Sequence, residues 1–226
     1  MNKTYVIGDI HGCSDLLSEL LEKIKPLAHD DTVIFIGDYI DRGPDSKGVI
    51  DIVLKLRAEH HRVITLMGNH EFMILGAIKG YGQNEFLKMG GEATLKSYDI
   101  PPESINDLAA LLPRNHIAFL QDLLPYWEDE DYFYVHAGLQ PGVHLTQQSS
   151  DWLFWSREDF IHSSYNYGKK VIYGHTPYDT PKMDDNKIGI DTGAVYGNTL
   201  TCLVLPEKTC IAIKNKKTET QNKLLA

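Results

Sequence analysis

Tyr5-Val6-Ile7-Gly8-Asp9-Ile10-His11-Gly12 and Val33-Ile34-Phe35-Ile36-Gly37-Asp38 decide the fold. Each is an unbroken apolar run that stops at a glycine and then offers a carboxylate. Runs without polar alternation predict strands buried on both faces. Leu16, Leu17, Leu20, Leu21 and Ile24 follow the first at helical spacing, with Cys13 or Ser14 near the N-cap and Pro26 past the end. Val49, Ile50, Val53, Leu54 and Leu56 suggest a second helix, and Val63-Ile64-Thr65-Leu66 a third strand stopping before Gly68. Strand, helix, strand, helix, strand is the order of parallel crossovers in an α/β fold. Ligand sites in such folds lie beyond the carboxyl ends of the strands.

The texture changes between about Leu75 and Leu124, where Gly76, Gly80, Gly82, Gly90, Gly91, Pro101, Pro102 and Pro113 leave only short amphipathic pieces. This predicts a small, mostly helical cap inserted at about 75–124 into a single domain spanning 1–213. Strands resume at Tyr132–His136, Lys170–Tyr173, Lys187–Ile190, Leu200–Leu205 and Lys208–Ile213, the last two as an antiparallel hairpin across Pro206-Glu207. Residues 214–226 read as a polar tail without apolar periodicity.

The chain has 226 residues and a net charge of −9, which argues against a nucleic acid gripped through its phosphates. No basic-plus-apolar leader precedes Tyr5, and no apolar run approaches the roughly 20 residues of a membrane span. No membrane partner is therefore expected. Cys13, Cys202 and Cys210 are too few and scattered for a disulfide framework or a zinc cluster, so a reducing cytoplasm is the expected location.

Five motifs carry the chemistry: Gly8-Asp9-Ile10-His11-Gly12, Gly37-Asp38-Tyr39-Ile40-Asp41-Arg42-Gly43, Gly68-Asn69-His70-Glu71, His136-Ala137-Gly138 and Gly174-His175-Thr176-Pro177. Asp9 and His11, two apart on a chain leaving a strand, can turn toward one point. Asp38 can offer its two oxygens to two cations. Asn69, His136 and His175 complete a six-residue ligand set whose imidazoles suit Mn, Fe or Zn better than Ca or Mg. Two divalent metal ions, most readily Mn2+, are the expected cofactor. Paired cations roughly 3.5–4 Å apart clamp the attacking and leaving oxygens of a phosphoryl displacement and make hydroxide available near neutral pH. His70 is then the natural general acid and Asp41 the group that orients it. Arg42 offers a planar fork for two phosphate oxygens, and Arg157, in Trp155-Ser156-Arg157, a second.

Each motif has an ordinary reading of its own. A lone Gly-His-Thr is most often a turn with a hydrogen-bonded His, Asp-Arg-Gly a turn with a surface ion pair, and Arg157 beside Glu158 and Asp159 a solvated pair. Cys13 lacks a neighbouring base and reads as a small helix-start residue. His29, His60, His61, His116, His144 and His162 read as surface or structural. Joint occurrence, in order and at strand ends, makes accident implausible.

Together these blocks resemble those of the phosphoprotein phosphatase family of metallophosphoesterases, from about Thr4 to Leu205. Trp155-Ser156-Arg157-Glu158 and Asp191-Thr192-Gly193-Ala194-Val195-Tyr196-Gly197 are similar to its bacterial branch, which includes the bacteriophage lambda phosphatase. The resemblance implies a calcineurin-like metallophosphoesterase β-sandwich flanked by helices, with the first three strands in one sheet and the later ones in the second. It implies one metal on Asp9, His11 and Asp38, and another on Asp38, Asn69, His136 and His175. It also implies His70 and Asp41 as acid and partner, and Arg42 and Arg157 on the phosphate. Tyr196 falls where eukaryotic members carry a tyrosine, in a loop that differs here.

The same core serves phosphoserine, phosphothreonine and phosphotyrosine phosphatases and symmetrical diadenosine tetraphosphate hydrolases. The last are usually longer, so 226 residues lean toward a phosphoprotein or phosphopeptide substrate, with inorganic phosphate as product. The mixed charges of 75–124 (Lys79, Lys88, Lys96 and Arg114 among Glu85, Glu92, Asp99, Glu103 and Asp107) offer no polyphosphate cradle. A non-catalytic phosphoprotein-binding module is the other alternative, but a binder has no use for His70, Asp41 and Arg42.

Overall fold

The computed structural model describes residues 2–216. Its strands are β1 (Thr4–Ile7), β2 (Thr32–Phe35), β3 (Val63–Thr65), β4 (Tyr126–Glu128), β5 (Tyr132–Val135), β6 (Lys170–Tyr173), β7 (Lys182–Met183), β8 (Lys187–Gly189), β9 (Thr199–Leu205) and β10 (Thr209–Lys214). Its α-helices are α1 (Ser14–Ile24), α2 (Ser46–Glu59), α3 (Asn69–Ile78), α4 (Gln83–Phe86), α5 (Glu92–Ser97), α6 (Leu108–Leu111), α7 (Arg114–Gln121), α8 (Ser150–Trp155) and α9 (Glu158–Ile161).

Two mixed sheets stack face to face, ordered β10-β9-β1-β2-β3 and β4-β5-β6-β8-β7. β1, β2 and β3 are mutually parallel, as are β5, β6 and β8. The period-2 rule sorts their side chains. Val6, Ile34, Ile172, Ile188 and Leu203 fill the space between the sheets, while Tyr5, Ile7, Val33 and Phe35 face helices. Both faces are thus covered, which is why these strands show no polar alternation.

Helix α1 buries the apolar set expected of it: Leu16, Leu17, Leu20, Leu21 and Ile24. Eleven residues are too few to hold a helix alone, so burial makes it, at about 1.5–3 kcal/mol per side chain as an upper figure. Residues 75–124 are mostly short helical pieces. Their Phe86, Leu95, Leu108 and Phe119 share one apolar cluster with Leu17 and Val53, so this segment also covers the outer face of the first sheet. The outer face of the second sheet is covered by Leu153, Phe154, Phe160 and Ile161 of α8 and α9.

The hairpin β9–β10 is antiparallel as expected, yet it joins the first sheet rather than the second, with β9 antiparallel to β1. Its β10 is an edge strand with mostly exposed side chains, so no pattern along it marks its sheet. The short edge strands β4 and β7 carry no periodic signal and escape the sequence reading. Lys214 ends β10, and Asn215 is buried with its Nδ2 donating to Ala194 O at 3.0 Å. The remainder of the expected tail, 217–226, lies outside the described residues. Cys13 and Cys202 are buried and Cys210 is exposed. No helix among the described residues is long and apolar enough to cross a membrane.

Two buried polar groups lock the flanks. His116, 2% exposed, accepts from the Tyr98 hydroxyl at 2.8 Å and donates to Asp51 at 2.9 Å, tying α7 to α2. Lys187, only 1% exposed, donates to the carbonyls of Phe160 (2.8 Å), Ile161 (3.2 Å) and Ser163 (2.6 Å), closing the end of α9 against β8. Replacing Lys187 with Met fills the space and strands those carbonyls. Lys187→Met is expected to lower unfolding free energy by about 2–3 kcal/mol in a denaturant titration; an unchanged midpoint would mean that the carbonyls find other donors.

Candidate active site

Parallel pairing aims β1, β2 and β3 at one end of the first sheet, and β5, β6 and β8 at the same end of the second. The turns after them carry Asp9 and His11, Asp38 to Arg42, Asn69 and His70, His136, His175, and Asp191. Two glycines let these turns approach. Gly37, at φ 102°, passes so close that a Cβ would sit 2.6 Å from Gly68 N and 2.9 Å from His136 Nδ1. A Cβ on Gly174 would collide with Asp9 Oδ1. Across this junction His175 N donates to Asp9 Oδ2 at 3.0 Å and His136 Nδ1 to Ile36 O at 2.9 Å.

Non-glycine residues with positive φ concentrate here. Of the seven among the described residues, five are His11, Asp38, Asp41, Arg42 and His175. Such backbone costs on the order of 1–3 kcal/mol per residue and persists where the surroundings over-determine it.

Asp38 is the hub. Its Oδ2 lies 3.3 Å from His11 Nε2, and its Oδ1 lies 3.4 Å from His136 Nε2. Beyond Oδ1, His136 Nε2, His175 Nδ1 and Asn69 Oδ1 stand 3.0–3.2 Å from one another. The ligand atoms of His11, Asp38 and His70, and those of Asp38, His136 and His175, form two groups that could each hold a metal ion. His11 and His136 donate their Nδ1–H to the carbonyls of Ile40 and Ile36, which leaves each Nε2 with a lone pair. Asp9 lies outside both groups: its Oδ1 is buried without a partner.

These residues fit divalent cations. Burial drives His11 down to about 3 and His175 down to about 2, and lowers His136 too, so the imidazoles are neutral and ligand-ready. Burial opposes ionisation of Asp38, but charge on a neighbouring ring, His136 first and then His70, pulls its carboxyl well below the usual range. Asp9, Asp191 and Glu71 are buried carboxyls pushed upward first by burial, then by neighbouring carboxylates, Asp191 to about 6 and Glu71 to about 8. Clustered acids facing bare imidazole nitrogens call for positive charge. One cation already answers: the Arg42 guanidinium donates to His11 Nε2 at 2.7 Å.

Glu71, quoted in its motif but given no role there, anchors the hub. Fully buried, it accepts from Asp38 N (2.8 Å), Gly68 N (3.0 Å), Tyr39 N (2.9 Å) and Ile40 N (3.3 Å). It thereby joins the turn after β2 to the start of α3.

His70 Nδ1 donates to Asp41 Oδ2 at 2.6 Å, both side chains wholly buried, while its Nε2 has no partner. Burial disfavours the imidazolium, but Asp38 and Asp41 outweigh it and hold His70 above its ordinary value. Asp41 is held in turn by Thr94, whose hydroxyl donates to Oδ1 at 2.6 Å, and by its own N–H, which donates to Thr94 Oγ1 and Ser46 Oγ. Thr94 lies in the inserted helical stretch and no motif flags it. The same stretch reaches Arg42, whose N–H donates to Gly90 O at 3.1 Å. Arg157, at the start of α9, is exposed, yet its charge acts on His136, His175 and Asp191. Of the two acids beside Arg157, Glu158 accepts from His162 Nε2 at 2.7 Å.

A profile of the calcineurin-like phosphoesterase family matches residues 3–196. The chain is 28% identical over 241 residues to a Bis(5'-nucleosyl)-tetraphosphatase PrpE [asymmetrical] of Oceanobacillus iheyensis, covering 95% of this chain and 93% of that protein. Among solved structures it resembles a putative diadenosine tetraphosphatase (22% identity, TM-score 0.72, 95% of this chain and 94% of that one). It also resembles a cold-active protein-tyrosine phosphatase of a psychrophilic Shewanella (17% identity, TM-score 0.65, 95% and 81%).

Metal analysis of the purified protein is expected to find two divalent ions per chain, and one or none in Asp38→Ala; a single ion in active wild-type protein would exclude sharing through Asp38. Glu71→Gln sets an amide N–H against backbone donors, so a loss of about 1–3 kcal/mol in unfolding free energy is expected, together with weaker metal retention on dialysis.

Proposed function

This chain belongs to the calcineurin-like phosphoesterase family, and from that membership we propose that it hydrolyses a phosphoanhydride bond of a dinucleoside tetraphosphate. Similarity to relatives named Bis(5'-nucleosyl)-tetraphosphatase [asymmetrical], along nearly the whole of both chains, carries the substrate class. The phosphoprotein expectation rested on the shortness of the chain and on the mixed charges of 75–124. Relatives matched over 92–93% of their own length remove the ground of length and favour the dinucleoside tetraphosphate alternative, with an asymmetrical cut in their names in place of the symmetrical one expected.

In this reading Asp9, His11 and Asp38 hold one divalent cation and Asp38, Asn69, His136 and His175 the other, with Mn2+ suited to the mixed oxygen and imidazole donors. When bound, such a pair neutralises phosphoryl charge and lowers the pKa of water. Arg42 and Arg157, reaching the centre from opposite motifs, take phosphoryl oxygens that carry the developing charge. His70 gives its Nε2 proton to the departing oxygen, and Asp41 holds the opposite ring nitrogen so that this proton faces the site.

The His70–Asp41 pair also favours a second reading, a phosphoester of serine or threonine. An alkoxide needs a proton to leave, whereas a departing nucleotide phosphate is a far weaker base. Leaving-group dependence therefore informs on the substrate.

Diadenosine tetraphosphate is expected to be cleaved to ATP and AMP, with higher kcat/KM than phosphoserine or phosphotyrosine peptides. Two ADP would make the cut symmetrical, and faster peptide turnover would overturn the substrate class. His70→Asn is expected to keep the metals and lose roughly 10²–10⁴ in turnover of alkyl phosphoesters, with smaller losses on the dinucleotide and p-nitrophenyl phosphate. Equal losses on all three would assign His70 to binding rather than proton delivery.

A further inference from the structure

Two exposed aromatic rings flank the candidate centre, and the chemistry above uses neither. Tyr196, 62% exposed, tips the 3-10 turn Ala194–Tyr196, and its ring centre lies 5.8 Å from the guanidinium carbon of Arg42. Trp155, 36% exposed, ends α8 two residues before Arg157, and its ring lies 6.5 Å from that of His175, at 80° to it. Arg42 donates to His11 Nε2, and Arg157 follows Trp155 by two residues at the start of α9. Tyr196 thus stands on the His11 side of Asp38 with Arg42, and Trp155 on the His136 and His175 side with Arg157 next along the chain.

Both rings stand on rigid supports. The Tyr196 turn is held by Gly193 N donating to Asp191 Oδ1 at 2.9 Å, Tyr196 N donating to Gly193 O at 3.0 Å, and Thr192 Oγ1 donating to Thr199 O at 2.7 Å. Trp155 follows the buried Leu153 and Phe154, and Leu153 O accepts from Ala137 N at 2.9 Å, hanging α8 on the turn that presents His136. Rings presented this way lose little freedom when a flat ligand covers them.

A paired arrangement of cation and aromatic surface matches a ligand whose two ends repeat phosphate then base. We propose that Trp155 and Tyr196 are stacking platforms for the two nucleobases of a dinucleoside polyphosphate, one on each side of the bond that is cut. This rests on the substrate reading above. Stacking uses the π-face that every base has, so the platforms select for a nucleoside without selecting which one. A phosphorylated side chain, with one phosphate and no base, would engage neither ring in this way.

The test uses metal-loaded full-length protein, Trp155→Ala, Tyr196→Ala and the corresponding Phe variants. Diadenosine tetraphosphate is compared with inorganic tripolyphosphate, which has the anhydride and no base. Each Ala change is expected to lower the dinucleotide-to-tripolyphosphate ratio of kcat/KM by roughly 5- to 100-fold, chiefly through KM, with Phe restoring most of it. In parallel, calorimetry is expected to show AMP binding the wild-type protein more tightly than ribose 5-phosphate, a preference that each Ala variant weakens. An unmoved ratio, an equal fall on both substrates, or no preference for AMP would overturn the platforms, and an effect at one ring alone would overturn their two-sided arrangement. If wild-type protein spares the dinucleotide yet prefers AMP through these rings, the platforms stand and the substrate reading falls. If it cleaves the dinucleotide with the ratio unmoved, the substrate reading stands and the platforms fall.

Discussion

One carboxylate is shared between two groups of donors, and the rest of the molecule is arranged around that sharing. Asp38 can face His11 with one oxygen and His136 with the other only because turns from both sheets meet at its side chain. Two sheets packed face to face, with their parallel strands ending on one side, bring six turns to a common point. Glu71 then gathers the turn after β2 and the start of α3 onto one buried carboxylate with four N–H donors. Reorganising Asp38 would break several of these contacts at once.

The centre concentrates features that cost stability. Left-handed backbone at His11, Asp38, Asp41, Arg42 and His175 coincides with buried carboxyls and bare imidazole nitrogens. Such costs are tolerable because the apolar layers on either side of each sheet are extensive, and bound cations would offset the electrostatic part. Stability and chemistry are separated in space, with the inter-sheet layer carrying one and the strand ends the other.

The helical stretch after α3 does more than cover the first sheet. Through Gly90 O it holds the backbone of Arg42, and through Thr94 it holds Asp41 and so the ring of His70. An element that reads from sequence as a separate cap therefore sets the aim of groups belonging to the central motifs. Differences among family members in this stretch can reach the chemistry without any change in the motifs.

Much of this was legible in the chain itself. Apolar runs stopping at a glycine marked β1, β2, β3 and β6, and a similar run before His136 marked β5, because strands buried on both faces need largely unbroken apolar sequence. Donor types at those ends marked Asp9, His11, Asp38, Asn69, His136 and His175, because few other tasks call for acids and imidazoles on consecutive strand ends. Tertiary structure decided what depends on distance across the sequence. It put β9–β10 beside β1, since an exposed edge strand carries no mark of its neighbour. It gave Glu71 four donors, and it brought Thr94 to Asp41 across 53 residues. It set Trp155 beside His175 and Tyr196 beside Arg42. A hydroxyl or an aromatic ring has an unremarkable local signature, and its role comes from what the folded chain places within a few ångströms of it.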